Sequence, residues 1–169
     1  SLFGVIPKAM WSKVYPADEN NITKLTMRCL LIDQGEQKIL IEAGVGNHYP
    51  EKVRKNNGHE DTDAIEKSLE EKGYRPEDIT DVLFTHLHWD HCNGAVVNEN
   101  GQLKLLFPNA THWCSRKQWE HSKVSNIRER AAYYPEILNL LKEKGNMQLV
   151  DGDCELFPEI SVRMFDGHT

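Results

Sequence analysis

The feature that most constrains this chain is one short segment, Thr85-His86-Leu87-His88-Trp89-Asp90-His91-Cys92-Asn93-Gly94. Three of the eight histidines and one carboxylate fall within six residues of it. The run before it, Ile79 to Phe84 (ITDVLF), predicts a buried strand that ends at Thr85. A strand thus delivers the chain directly to a cluster of metal-competent side chains, and Asn93-Gly94 supplies turn chemistry for leaving it. The spacing adds geometry. On a helix, residues two apart point in different directions, whereas at an extended strand end i and i+2 lie on one side. His86 and His88 can therefore hold one ion, with Asp90 and His91 just beyond, where a turn can aim them at a neighbouring point. Imidazole nitrogen and carboxylate oxygen suit zinc, iron, manganese, cobalt or nickel, and ligand type alone does not choose among them.

The rest of the chain reads as layered, mixed-sheet α/β structure. Ser1 to Trp11 reads as a strand and an outlying loop. Thr26 to Asp33 and Lys38 to Glu42 flank the turn Gln34-Gly35-Glu36-Gln37 and read as an antiparallel hairpin. The second strand runs into Ala43-Gly44-Val45-Gly46, whose two glycines permit positive φ, and a polar loop follows through Asn56-Asn57-Gly58. Asp61 to Lys72 reads as a helix capped by Thr62 or Asp63 and stopped by Gly73. Gln102 to Phe107 and Ala110 to Cys114 read as extended. Ser115 to Ser122 reads as a short helix, and Ile127 to Lys144 as a longer one interrupted near Pro135 and ended by Gly145. Met147 to Val150 and Ile160 to Phe165 read as strands about the Asp151-Gly152-Asp153 turn.

Composition limits the function classes. The chain has 169 residues, 39% of them hydrophobic, enough for the core of one domain spanning residues 1–169. No apolar run approaches the roughly 20 residues that cross a bilayer. With 20 Lys and Arg against 26 Asp and Glu, the net charge is −6, which argues against a nucleic-acid partner. The four cysteines, Cys29, Cys92, Cys114 and Cys154, show no C-x-x-C spacing and are too sparse for a disulfide scaffold. They read as free buried thiols in a reducing compartment. No signal-peptide pattern follows Ser1, so a cytoplasmic location is the expectation.

On these residues the chain resembles the metallo-β-lactamase superfamily. The run from His86 to His91 matches its H-x-H-x-D-H signature. Ile39 to Gly46 is similar to the strand and glycine turn that the family usually writes with Asp-Thr-Gly. Asp166-Gly167-His168-Thr169 is similar to the start of its Gly-His-Thr-Pro-Gly segment. The resemblance implies an αβ/βα four-layer sandwich, of which this chain covers the first half and the edge of the second. It implies that His86, His88 and His168 hold a first metal, that Asp90 and His91 contribute to a second, and that Asp90 orients the attacking hydroxide. Zinc is the first candidate, as two ions in the complete protein. Glu42 stands where Asp is usual, which bears on the hydrogen bonds that order the ligand loop. In dinuclear members a bridging Asp and a final His come later, so the polypeptide is expected to continue beyond Thr169.

Phe3 to Lys8 with Trp11-Ser12, and Phe107 to Ala110, resemble the branch of acyl-homoserine lactonases and methyl parathion hydrolase-like enzymes. That implies metal-assisted hydrolysis of a lactone, ester or related bond in a small molecule by a metal-bound hydroxide, and leaves a homodimer open. Two alternatives stand beside it: a mononuclear iron oxygenase of the same fold, and a non-catalytic metal-binding fragment. Cys92 reads as a small residue packed under the loop. His48 and His59 read as solvated loop residues. His112 and His121 read as structural or exposed, without a ligand-like neighbour.

Overall fold

A computed structural model describes residues 3–59 and 63–169. They fall into two compact units. One comprises the described residues of Ser1–Thr26 and Tyr49–Glu60, the other those of Met27–His48 and Asp61–Thr169.

The smaller unit holds two short helices, α1 (Lys8–Trp11) and α2 (Glu51–Asn57). From Phe3 onwards the N-terminal stretch contains no strand, contrary to the reading of its apolar composition; Ser1 lies outside the described residues. Pro7 instead precedes the single turn α1, and Phe3 stacks on Trp11 with ring centroids 4.6 Å apart. The segment read as a polar loop through Asn56 is also helical. Pro50 sets its entry, and Gly58 at φ 66° ends it in the left-handed conformation.

The larger unit is mixed α/β, as the sequence predicts. Its strands are β1 (Leu30–Asp33), β2 (Lys38–Ile41), β3 (Asp81–Leu83), β4 (Val96–Glu99), β5 (Gln102–Leu105), β6 (Thr111–Ser115), β7 (Gln148–Val150), β8 (Cys154–Phe157) and β9 (Ile160–Val162). Five form one sheet in the order β1-β2-β3-β6-β7. β1 and β2 are the expected antiparallel hairpin, and β2, β3, β6 and β7 run parallel to one another. The register aligns Leu40, Val82 and His112 across β2, β3 and β6, and all three are buried. Burial of that row fixes the register, because a one-residue slip would turn each side chain to the other face.

Four helices belong to this unit. α3 (Ala64–Glu70) is shorter than expected, and Gly73 follows it at φ 82°. Asp63 stands at its N-cap without a side-chain cap bond, and Asp61 and Thr62 lie outside the described residues. α4 (Trp89–Cys92) is one turn inside the histidine segment. α5 (Arg116–Val124) is capped by Ser115 Oγ, which accepts from Gln118 N at 3.0 Å. α6 (Pro135–Lys144) starts on the proline that interrupts the expected longer helix; before it lies only a 3-10 turn, Arg130–Ala132. Ile137, Leu138 and Leu141 of α6 join Val82, Phe84, Phe107 and Trp119 in the core.

Cys92 and Cys114 are buried as expected, but Cys154 is exposed and Cys29 only partly covered; all four are free thiols. Among the described residues, no helix is long and apolar enough to cross a membrane.

Candidate metal centre

Two loops build the site, leaving neighbouring parallel strands at the same end of the sheet. After β2 comes the glycine turn, and after β3 the histidine segment. Gly44 and Gly46 take φ of 75° and 79°, as their sequence predicts. The two loops are joined by their backbones. Ala43 N donates to His91 O at 2.8 Å, and Gly94 N donates to Gly44 O at 2.8 Å. A Cβ on Gly94 would sit 2.0 Å from Ala43 O, so only glycine allows this approach.

Glu42 ties the loops together through its side chain. Its backbone lies at φ 68°, unusual for a residue with a side chain. Oε1 accepts from Thr85 N at 2.6 Å, and Oε2 accepts from His91 Nδ1. The glutamate at this position thus still orders the ligand loop, through one backbone donor and one imidazole.

His86 follows β3 in a bend, and His88 is the extended residue that precedes α4, with φ −66° and ψ 151°. Their rings lie 4.6 Å apart. His168, well down the chain beyond β9, closes the group, with its ring 4.7 Å from that of His86 and 5.2 Å from that of His88. One ring nitrogen from each of the three histidines lies within 4.8 Å of the others. The same atoms suit a tetrahedral ion with a fourth position open. His86 Nε2 is buried with no hydrogen-bond partner, while its Nδ1 lies 3.1 Å from Thr85 Oγ1. A buried nitrogen left in this state costs free energy unless something accepts its lone pair. A metal ion would do so, and the donor set present therefore fits one.

Asp90 and His91 lie on α4 beside this triad. His91 Nε2 is 3.5 Å from Asp90 Oδ2, and the His91 ring is centred 3.9 Å from that of His86. The five residues singled out from sequence are thus brought to one place.

The electrostatics favour neutral imidazoles at His86 and His88, the form that binds metal. Burial pushes the pKa of His86 down to about 3, helped by His91, His88 and His168. Burial likewise lowers His88. Burial also opposes charge on His91, but the hydrogen bond and charge of Glu42, with Asp90, outweigh it and raise the pKa.

Sequence reasoning missed one neighbour of the site. Glu129 Oε1 accepts from His88 Nε2 at 3.3 Å and from the Tyr133 hydroxyl at 3.2 Å. Glu129 Oε2 accepts from His121 Nε2 at 2.7 Å. His121 is therefore not isolated, as its place on a charged helix suggested. No local pattern links residues 41 apart. The one sequence signal is Asn126, whose Oδ1 accepts from Arg128 N at 2.9 Å and Glu129 N at 3.3 Å, a turn that aims Glu129 back. Cys92 is fully buried, with Sγ 3.4 Å from Leu87 O, and burial holds its thiol well above the usual range; it is packing, as expected. His112 is structural: its Nδ1–H donates to Gly145 O at 2.7 Å. His48 and His59 are partly covered rather than solvated.

Residues 27–98 match the model of the metallo-beta-lactamase superfamily. An N-acyl homoserine lactonase of Bacillus cereus is 26% identical over 163 residues, covering 88% of this chain and 57% of the lactonase. Among solved structures, a probable metal-dependent hydrolase from Staphylococcus aureus matches with a TM-score of 0.78 and 31% identity, over 94% of this chain and 56% of that one. AidC, a dizinc quorum-quenching lactonase solved in complex with a product, matches with a TM-score of 0.54 and 28% identity, over 73% of this chain and 42% of AidC. The mixed α/β architecture matches that of these two structures. The chain spans a little over half the length, 57%, of the curated relative just named.

Proposed function

We propose that this chain carries the metal centre of a metal-dependent hydrolase, with His86, His88 and His168 holding one ion and Asp90 and His91 contributing to a second. The observation that carries the reading is the buried, unpartnered Nε2 of His86 inside a triad whose ligand atoms lie within 4.8 Å of one another. Zinc is the favoured metal, supported by the dizinc relative and by a donor set that suits it. The favoured substrate is a lactone of the N-acyl homoserine type, supported by the lactonase relatives.

A bound divalent ion would acidify a water and polarise the bond under attack. The chain's own residues supply the rest. His86 and His88 stay neutral at physiological pH and offer lone pairs without first losing a proton. Glu42 takes one imidazole N–H of His91, which leaves Nε2 free to bind. Asp90, beside that nitrogen, is placed to orient the nucleophile and to accept its proton. The glycine turn holds the two loops at fixed separation, so these groups need no rearrangement before reaction.

The test is hydrolysis of a panel of N-acyl homoserine lactones, simple esters and organophosphates by the protein from its complete coding sequence. Activity should vanish on chelation, return with zinc and be lost in His86→Ala and His88→Ala. Full activity in either variant would overturn the assignment. Thiol-dependent oxygen uptake with no hydrolysis would replace it with the iron oxygenase reading.

A further inference from the structure

We propose that Glu129 is a positioning residue for the metal centre: its carboxylate takes the Nε2–H of His88 and so turns Nδ1 of that ring towards the ion. The inference rests on the metal-binding reading above. His88 and Glu129 both have side chains only 14% exposed, with Nε2 and Oε1 3.3 Å apart. A ring nitrogen already given to a carboxylate is not available to a metal. The His88 ring lies 4.6 Å and 5.2 Å from the rings of His86 and His168, and with Nε2 engaged by Glu129 the nitrogen left to it as a ligand atom is Nδ1. The bond to Glu129 selects that tautomer and raises the basicity of the ligating nitrogen.

Glu129 is itself held from four sides. Its Oε1 takes the Tyr133 hydroxyl at 3.2 Å besides His88, and its Oε2 takes His121 Nε2 at 2.7 Å and Asn126 Nδ2 at 3.4 Å. A carboxylate this covered is costly to keep charged unless its oxygens are satisfied, and here the donors converge on it from α5 and from the segment between α5 and α6. A carboxylate needed only to fasten that segment would not have to spend an oxygen on His88. The segment from Asn126 to Tyr133 is in this way connected to the His88 ring through the Glu129 side chain.

The test uses the protein from its complete coding sequence, with Zn²⁺ affinity measured by competition against a chromophoric chelator and the absorption spectrum of the Co²⁺-substituted protein as a signature of coordination. Glu129→Ala should weaken Zn²⁺ binding by about 10–100-fold and alter the Co²⁺ bands, with far-ultraviolet circular dichroism unchanged. Glu129→Gln keeps the shape and one acceptor oxygen. It should fall between wild type and Glu129→Ala, and it keeps the test decisive where the alanine variant fails to fold. His88→Ala is the reference for loss of the ligand. Wild-type affinity and spectrum in both Glu129 variants, with binding lost in His88→Ala, would overturn the role of Glu129 alone. Wild-type binding in His88→Ala, or no binding by the wild type, would overturn the metal-binding reading and this inference together.

Discussion

Gly94→Ala tests whether the site depends on the contact between its two loops. The added Cβ would lie 2.0 Å from Ala43 O, 2.9 Å from Ala43 C and 3.1 Å from Gly44 C. All three are backbone atoms, so no side-chain rotation relieves the clash. Gly94 does not have a positive φ, so the cost is steric rather than conformational. The loops must separate, which breaks the bonds from Ala43 N to His91 O and from Gly94 N to Gly44 O, each 2.8 Å. Two net hydrogen bonds at about 1 kcal/mol each, with overpacking of about 1–3 kcal/mol, give a loss of about 3–5 kcal/mol. Against a typical total of about 5–15 kcal/mol, that shifts a urea midpoint far beyond error. Separation also moves His91 relative to His86, so Zn²⁺ affinity should fall with stability. Gly152→Ala is the control: nothing lies within 4 Å of its Cβ position and its φ is not positive, so the change should stay within about 0.5 kcal/mol. A Gly94→Ala protein with a wild-type midpoint and wild-type Zn²⁺ affinity would refute the reasoning.

Three further outcomes follow from the structure. Glu42→Ala leaves Thr85 N–H and the His91 ring without their acceptor, and should lower unfolding stability by about 1–3 kcal/mol, measured in urea at fixed pH; no change would mean that water replaces the carboxylate. Burial lowers the pKa of His112 below its ordinary 6.5 despite its bond to Gly145. The unfolded chain then binds the extra proton below pH 6.5, and stability should fall as the pH drops through that value, by at most about 1.4 kcal/mol per pH unit from this one group. His112→Asn should flatten the slope, and an unchanged slope in that variant would remove His112 from the account. Zn²⁺ at a hundredfold excess over its dissociation constant should stabilise the protein by about 2.7 kcal/mol, read as a rise in melting temperature that chelation reverses; His86→Ala should abolish the rise.

How legible the fold was depended on whether a segment's fate is set locally. The hairpin of β1 and β2, the strand before His86 and the stop at Gly145 follow from alternation, β-branched content and glycine. β4 was missed although Asn100-Gly101 joins it to β5 with φ of 53° and 86°, the two-residue turn that favours a hairpin. α2 is hard to read because Glu51 to Asn57 carries a single apolar residue, Val53, and so shows no apolar helical stripe. The proposed ligands His86, His88, Asp90 and His91 are legible because metal binding demands such residues at close spacing, and His168 through its short motif. Glu129 was not, because a carboxylate that serves a histidine 41 residues away leaves no periodic trace.

Why these distant pieces meet is a question of strand direction. β2 and β3 are parallel, with Ile41 opposite Leu83 at their ends, so the chain leaves both strands on the same side of the sheet. Ligand sites in parallel sheets sit beyond the carboxyl ends of the strands for this reason. Had β3 run the other way, the glycine turn and the histidine segment would lie at opposite ends. The register then does finer work. Glu42 N donates to Leu83 O at 3.0 Å, which sets the Glu42 backbone beside Phe84 and lets its carboxylate reach Thr85 N, 43 residues on, and His91, 49 residues on. A slip of one residue between β2 and β3 would turn Leu40 away from the buried row and take Glu42 off both partners. The core packing of Leu40, Val82 and His112 and the placement of the histidine segment are therefore one constraint, and a substitution that loosens the first should be read out in the second.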